Sequence, residues 1–181
     1  MNDWLARLND GGRESTLIAE LRACCAAASW VEAILDGRPY SDEAALFAAS
    51  DAATAALDAT GLEQALTAHP RIGERAAASS DATAASSHAA WSRQEQSGVA
   101  DADASVRAQI AGANQRYEQR FGQVYLVCAT GLSAQQLLAV CLERLANDPT
   151  TERSIVLREL AKIARIRLSK LLHHADERPS R

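Results

Sequence analysis

Aromatic side chains are scarce here: 4% of 181 residues, comprising two phenylalanines, three tyrosines and three tryptophans. A sheet core draws on aromatic and β-branched residues, so this scarcity argues against one. No window approaches 18 consecutive apolar residues, which excludes a membrane-spanning helix. No block of like charge stands out and the formal net charge is only −4, so neither nucleic acid nor an anionic lipid surface is an expected partner. Cys24, Cys25, Cys128 and Cys141 include an adjacent pair that cannot readily bridge, and they form no C-x-x-C or Cys/His ligand spacing. Buried thiols in a reducing compartment are expected, with no metal. A Gly-rich phosphate loop is also missing. The opening Met-Asn-Asp-Trp lacks a basic run followed by an apolar stretch, and Pro179-Ser180-Arg181 is no peroxisomal address. The cytoplasm is the expected location.

What is abundant is alanine. It carries much of the 48% hydrophobic content, favours helix and lets helices approach closely. A chain of this length suits one domain that buries roughly 70% of its unfolded surface. The expectation is therefore an all-α, single-domain bundle of about seven to nine helices over 1–181, with about 1–12 and 174–181 fraying.

Local signals divide the chain. Ser15 opens a helix carrying Leu17, Ile18 and Leu21, whose apolar face Trp30, Ile34 and Leu35 extend until Gly37-Arg38-Pro39. Ser41 and Glu43 open another through about Leu57, and Gly61 precedes a short helix at Leu62–Ala68. The Ala/Ser/Asp/Thr stretch from Ala76 to Ala90 reads as a loop leading into a helix. A long helix from about Asp101 to Arg120 carries Val106, Ile110, Ala113 and Tyr117 on one face. Gln123 to Ala129 is the one extended-looking run. Ser133 caps a helix through Leu145, and a last helix runs from about Thr151 to His173.

That last helix holds an anomaly. Its apolar stripe steps through Val156, Leu160, Ile163, position 167 and Leu171, and position 167 is arginine. An inward arginine needs an anion, because an unpaired buried charge is very costly. A structural ion pair with a glutamate and a carboxylate-binding role facing a cavity are both open.

Two dense polar segments complete the picture: His69-Pro70-Arg71-Ile72-Gly73-Glu74 and Ser92-Arg93-Gln94-Glu95-Gln96-Ser97-Gly98. Pro70 pushes His69 out of the α region, so His69 is expected where a helix stops, with a ring that can exchange protons near neutrality. A bland alternative is a helix-end histidine bonded to a carbonyl. Ser92-x-x-Glu95 has the form of a capping box. If a helix already runs through it, Ser92, Glu95 and Gln96 share one face. His88 would lie on that face too and competes with His69 as the working histidine.

Together these segments resemble the 2-oxo-4-hydroxy-4-carboxy-5-ureidoimidazoline (OHCU) decarboxylase family. So do Trp30 with Arg38-Pro39-Tyr40, Tyr117-Glu118-Gln119-Arg120-Phe121-Gly122, and Lys162-Ile163-Ala164-Arg165-Ile166-Arg167-Leu168, in the family's order over nearly the whole chain. The resemblance implies cofactor-free decarboxylation of an anionic ureidoimidazoline to (S)-allantoin, the last of the three activities that convert urate to (S)-allantoin. It implies His69, Glu95 and Arg167 as catalytic residues. Pro70, Ser92, Arg93, Gln94, Glu95, Gln96, Tyr125, Leu126, Val127, Cys128 and Ala129 are then the substrate-binding ones. Thr130 departs from the pattern, since relatives often carry a basic residue there. The assembly is left open, a homodimer among the options. Rival readings are a lyase or hydrolase for another ureide, and a non-catalytic helical interaction module.

Overall fold

A computed structural model describes residues 3–74, 84–100 and 102–174, with 84–89, 100 and 174 described by backbone alone. Among the described residues ten helices follow in order: α1 (Asp3–Asn9), α2 (Ser15–Cys24), α3 (Ala28–Asp36), α4 (Glu43–Ala55), α5 (Ala59–Thr67), α6 (Ala84–Glu95), α7 (Ser97–Ala100), α8 (Ala104–Phe121), α9 (Ala134–Arg144) and α10 (Pro149–His174). Nine have seven residues or more and α7 is a four-residue turn, so the all-α expectation holds. No strand occurs among the described residues. The extended-looking run does lack helix from Val124 to Ala129, but it finds no sheet partner.

The 26-residue α10 is the spine, packing against α4, α2 and α1, while α8 and α9 pair beside it. One core cluster joins Leu17, Leu21, Trp30, Ile34 and Leu46 to Val156, Leu160 and Leu168 of α10. A second gathers Ile110, Ala113 and Tyr117 of α8 with Leu137 and Cys141 of α9. Loop chemistry sets several ends. Asp42 and Asp58 cap α4 and α5 by accepting from Ala45 and Gly61 amides, and Ser133 with Gln136 forms a reciprocal capping box on α9. Gly122, at φ +70°, terminates α8 in the left-handed region.

Three expectations need correction. Asp3–Asn9, inside the stretch expected to fray, is helical with Trp4, Leu5 and Leu8 buried. Asn9 exchanges hydrogen bonds with the Tyr40 backbone, and Arg38 donates to the Leu8 carbonyl, so long-range partners order it. Second, the apolar face from Leu17 to Leu35 is two helices, because Cys25 and Ala27 are extended. Third, the inner stripe of α10 drifts: Leu168 and Leu172 are buried while Leu171 is half-buried. A straight helix rotates about 20° per heptad against a strict repeat, which accounts for the drift. Residues 75–83, the start of the expected loop, and 175–181 lie outside the described residues, as does the side chain of His88.

Candidate active site

His69 lies two residues past the end of α5, and its amide donates to the Leu66 carbonyl at 2.9 Å. Its half-buried ring faces a narrow cavity of about 20 Å³. Pro70, Ile72, Ser92, Glu95, Gln96, Ile163 and the run from Tyr125 to Thr130 share that lining. Segments far apart in sequence thus meet at one point.

The His69 segment is clamped by Gln96, at the junction of α6 and α7, and by two residues of α8. The Gln96 side chain accepts from the Gly73 amide at 3.1 Å and approaches the Pro70 carbonyl at 3.5 Å. On α8, Asn114 donates to the Ile72 carbonyl at 2.9 Å, and Glu118 takes both arms of the Arg71 guanidinium at 2.5 and 2.8 Å. Gly73, at φ +85°, makes the turn, which an L side chain would strain.

The opposite wall is fixed through its backbone. Arg144 donates to the Leu126 carbonyl at 2.7 Å, and the Cys128 amide donates to Glu159 at 2.9 Å. The Tyr125 hydroxyl reaches the Leu137 carbonyl at 3.2 Å. Beneath this wall lies a closed polar cluster in which Arg144 donates to Glu152 at 2.5 and 2.9 Å, and Tyr117 donates to the same carboxylate. Asn147 occupies the other Glu152 oxygen at 2.8 Å. Burial, followed by the Glu152 bond, pushes the Tyr117 phenol well above its usual range.

Ser92 sits inside α6, so the running-helix alternative holds over the capping box. Glu95 is 8% exposed and Arg167 is fully buried. Arg167 Nε and Nη2 donate to the two Glu95 oxygens at 3.0 and 2.8 Å, a bidentate pairing of guanidinium with carboxylate. Nη2 also donates to Ser92 Oγ at 3.1 Å, and Nη1 to the Ala23 carbonyl at 3.1 Å. The arginine therefore has its expected glutamate. It is not itself part of the cavity lining and reaches the cavity through Glu95 and Ser92.

Of the remaining expected residues, Pro70, Gln96 and Tyr125 to Ala129 line the cavity, whereas Arg93 and Gln94 are exposed. Gln94 instead accepts from Lys170. Sequence reasoning missed Asn114, Arg144 and Glu159, which hold the walls from outside the cavity. It also missed the role of Gly98, where an added Cβ would stand 2.1 Å from the Leu132 carbonyl. Cys24, Cys25 and Cys141 are buried, as expected of the thiols, while Cys128 on the cavity wall is half-buried. Burial pushes the Cys128 thiol up and Cys25 to about 11, so both are poor nucleophiles at neutral pH.

A wider groove of about 640 Å³ runs between α5, the end of α8 and Arg153. It contains no histidine, and its Glu118 and Arg153 are engaged by Arg71 and the Leu57 carbonyl. Between the two, size alone would select this groove. The convergence of His69, Ser92, Glu95 and Gln96 selects the narrow cavity instead.

Comparison with known proteins places the chain in a family. The chain is 30% identical over 140 residues to 2-oxo-4-hydroxy-4-carboxy-5-ureidoimidazoline decarboxylase of Amia calva, covering 77% of this chain and 78% of that one. It is 29% identical over 153 residues to the uric acid degradation bifunctional protein TTL of Arabidopsis thaliana, with 84% of this chain matching 46% of the plant protein. This chain thus spans about half the length of that two-function relative. A crystal structure of OHCU decarboxylase in the presence of (S)-allantoin superposes with a TM-score of 0.69 at 25% identity, over 85% of this chain and 97% of the other. A structure of (S)-allantoin synthase, at 16% identity and a TM-score of 0.64, covers 94% of this chain and 53% of that one and shares the fold. With the OHCU decarboxylase family model matching residues 12–169, the chain belongs to that family.

Proposed function

We propose that this chain decarboxylates 2-oxo-4-hydroxy-4-carboxy-5-ureidoimidazoline to (S)-allantoin without a cofactor. The observation that carries the reading is the meeting of His69, Ser92, Glu95 and Gln96 at one cavity, with Glu95 held by a buried guanidinium. The substrate carries a carboxylate and a hydroxyl on one ring carbon, beside a C=N bond. As the C–C bond to the carboxylate breaks, its electron pair passes into that C=N system, so the substrate is its own electron sink. His69 exchanges a proton with the hydroxyl as carbon dioxide leaves, a role usually worth about 10²–10⁴-fold. Glu95 and Gln96 take the ureido and ring N–H groups and fix the face that is protonated, hence the (S) product.

Arg167 then acts as a positioning residue, since its contacts run to Glu95 and Ser92. Pro70 and the stretch from Tyr125 to Ala129 shape the remaining walls. We place the reaction in the cytoplasm, in keeping with four free thiols.

An interaction module would carry an exposed apolar patch. Among the described residues Leu142 is the exposed large hydrophobic, which supports catalysis over docking. The test is to generate the substrate in situ from urate with the two preceding enzymes and to follow the circular dichroism of (S)-allantoin. Added protein should give faster conversion and enantiomeric excess over the spontaneous racemic background. His69→Ala should lose about 10²–10⁴-fold in rate while staying folded and still binding allantoin. Neither acceleration nor enantiomeric excess with the native chain rejects the reading. Loss with His88→Ala instead of His69→Ala reassigns the histidine.

A further inference from the structure

The cavity must hold two anions at once. Glu95 is one, and the substrate's carboxylate is the other. Like charges brought into a partly desolvated site repel strongly unless a cation balances each.

Arg167 is already matched to Glu95, oxygen for oxygen. On the other wall, Glu159 bonds the Cys128 amide and is paired with Lys162 at 2.5 Å. The thiols nearest Glu95, Cys24 and Cys128, are pushed up by burial and carry no charge at neutral pH. Thr130, at the cavity edge, is uncharged. Lys170 remains. It lies one turn beyond Arg167 on the same side of α10, with its side chain 17% exposed and its ammonium 3.9 Å from Glu95 Oε1. Its hydrogen bond, at 2.9 Å, goes to the neutral Gln94 amide, and its charge sits 5.7 Å from the Trp91 ring centroid. Burial lowers its pKa, an effect that Glu95 opposes and Arg167 adds to.

We propose that Lys170 supplies the positive charge that lets an anionic substrate occupy a cavity already holding the Glu95 carboxylate. Lys170 is thus a specificity-determining residue acting through Glu95, without touching the reacting atoms. The inference rests on the proposed decarboxylation, in which the substrate is an anion and the product is neutral. Loss of carbon dioxide removes the charge that Lys170 balances, so the same residue favours binding of substrate over retention of product.

This asymmetry gives the experiment. Steady-state kinetics on substrate generated in situ would be paired with calorimetric titration of (S)-allantoin, for the native chain, Lys170→Met and Lys170→Arg. In Lys170→Met, KM should rise about tenfold with kcat within about twofold, the pattern of lost uniform binding. The Kd for neutral allantoin should stay within about twofold. Lys170→Arg should restore KM. The native KM should rise with added salt more steeply than that of Lys170→Met, because screening acts on the charge that the variant lacks.

An unchanged KM in Lys170→Met overturns the inference. So does equal weakening of allantoin, which would mark Lys170 as a structural strut between α6 and α10. If Lys170→Met fails to fold, Lys170→Gln and the salt dependence of the native KM decide in its place. A salt-independent native KM then rejects the proposal. Absence of turnover by the native chain rejects the decarboxylase reading itself, a different result from normal turnover with an indifferent Lys170.

Discussion

Two buried arginine–glutamate pairs lie along α10, and they are built to different ends. In Arg144–Glu152 every neighbour is a partner: Tyr117, Asn147 and the Leu126 carbonyl close around the pair, and both side chains are 5% exposed or less. In Arg167–Glu95 the arginine is equally buried, but the glutamate borders a cavity beside His69 and Gln96. Desolvation makes any buried ion pair a weak net source of stability. The sealed pair orders a wall and the bordering pair presents a carboxylate. What separates them is what the carboxylate faces.

The largest effect should come from breaking the sealed pair. Glu152→Ala leaves the Arg144 charge buried and unmatched, at a cost of about 3–5 kcal/mol measured by urea denaturation. Acid should trace the same contact. Burial pulls the Glu152 carboxyl upward, but Arg144, Tyr117 and Asn147 outweigh it and hold it below the usual range. Its stabilisation is therefore present above the unfolded value of about 4.3 and is lost as pH falls through the folded value. Glu152→Ala should flatten the acid limb of stability against pH. An unaltered limb would show that the cluster does not carry the pH dependence.

A smaller effect, on activity, should follow at the bordering pair. Arg167→Lys keeps the charge but loses the fork that matches both Glu95 oxygens, and should reduce kcat/KM about tenfold with the protein still folded. Near-native kinetics there would make the two pairs equivalent and reduce Arg167 to a structural residue. The smallest effect belongs to an ion pair that is not buried. Glu118 bonds Arg71 on the His69 segment with partly exposed side chains, so Glu118→Gln should shift stability by at most about 1 kcal/mol in a thermal melt.

The bordering pair was legible in the sequence because Arg167 breaks a periodic apolar stripe, which is a local signal. Ser92 and Glu95, three residues apart, were legible for another reason: a helix already running through them puts both on one face. Arg144–Glu152 was not. An arginine in the last turn of α9 is ordinary helix-end chemistry, and only the meeting of Tyr117 on α8 and Arg144 on α9 with Glu152 on α10 closes a cage around it. The break at Cys25–Ala27 and the ordering of α1 were hidden likewise, since the tie from Asn9 to Tyr40 spans 31 residues. Gly98 reads as punctuation until Leu132 is seen to lie against it.

The length of α10 has a consequence of its own. Glu152 and Arg167 are fifteen residues apart on one uninterrupted helix, about 22 Å at 1.5 Å per residue. Neither pair can melt locally without fraying the element that carries the other, so both belong to one cooperative unit. Heat inactivation and loss of helical signal should then share a single midpoint, leaving no warm window in which the chain stays folded but has ceased to turn over.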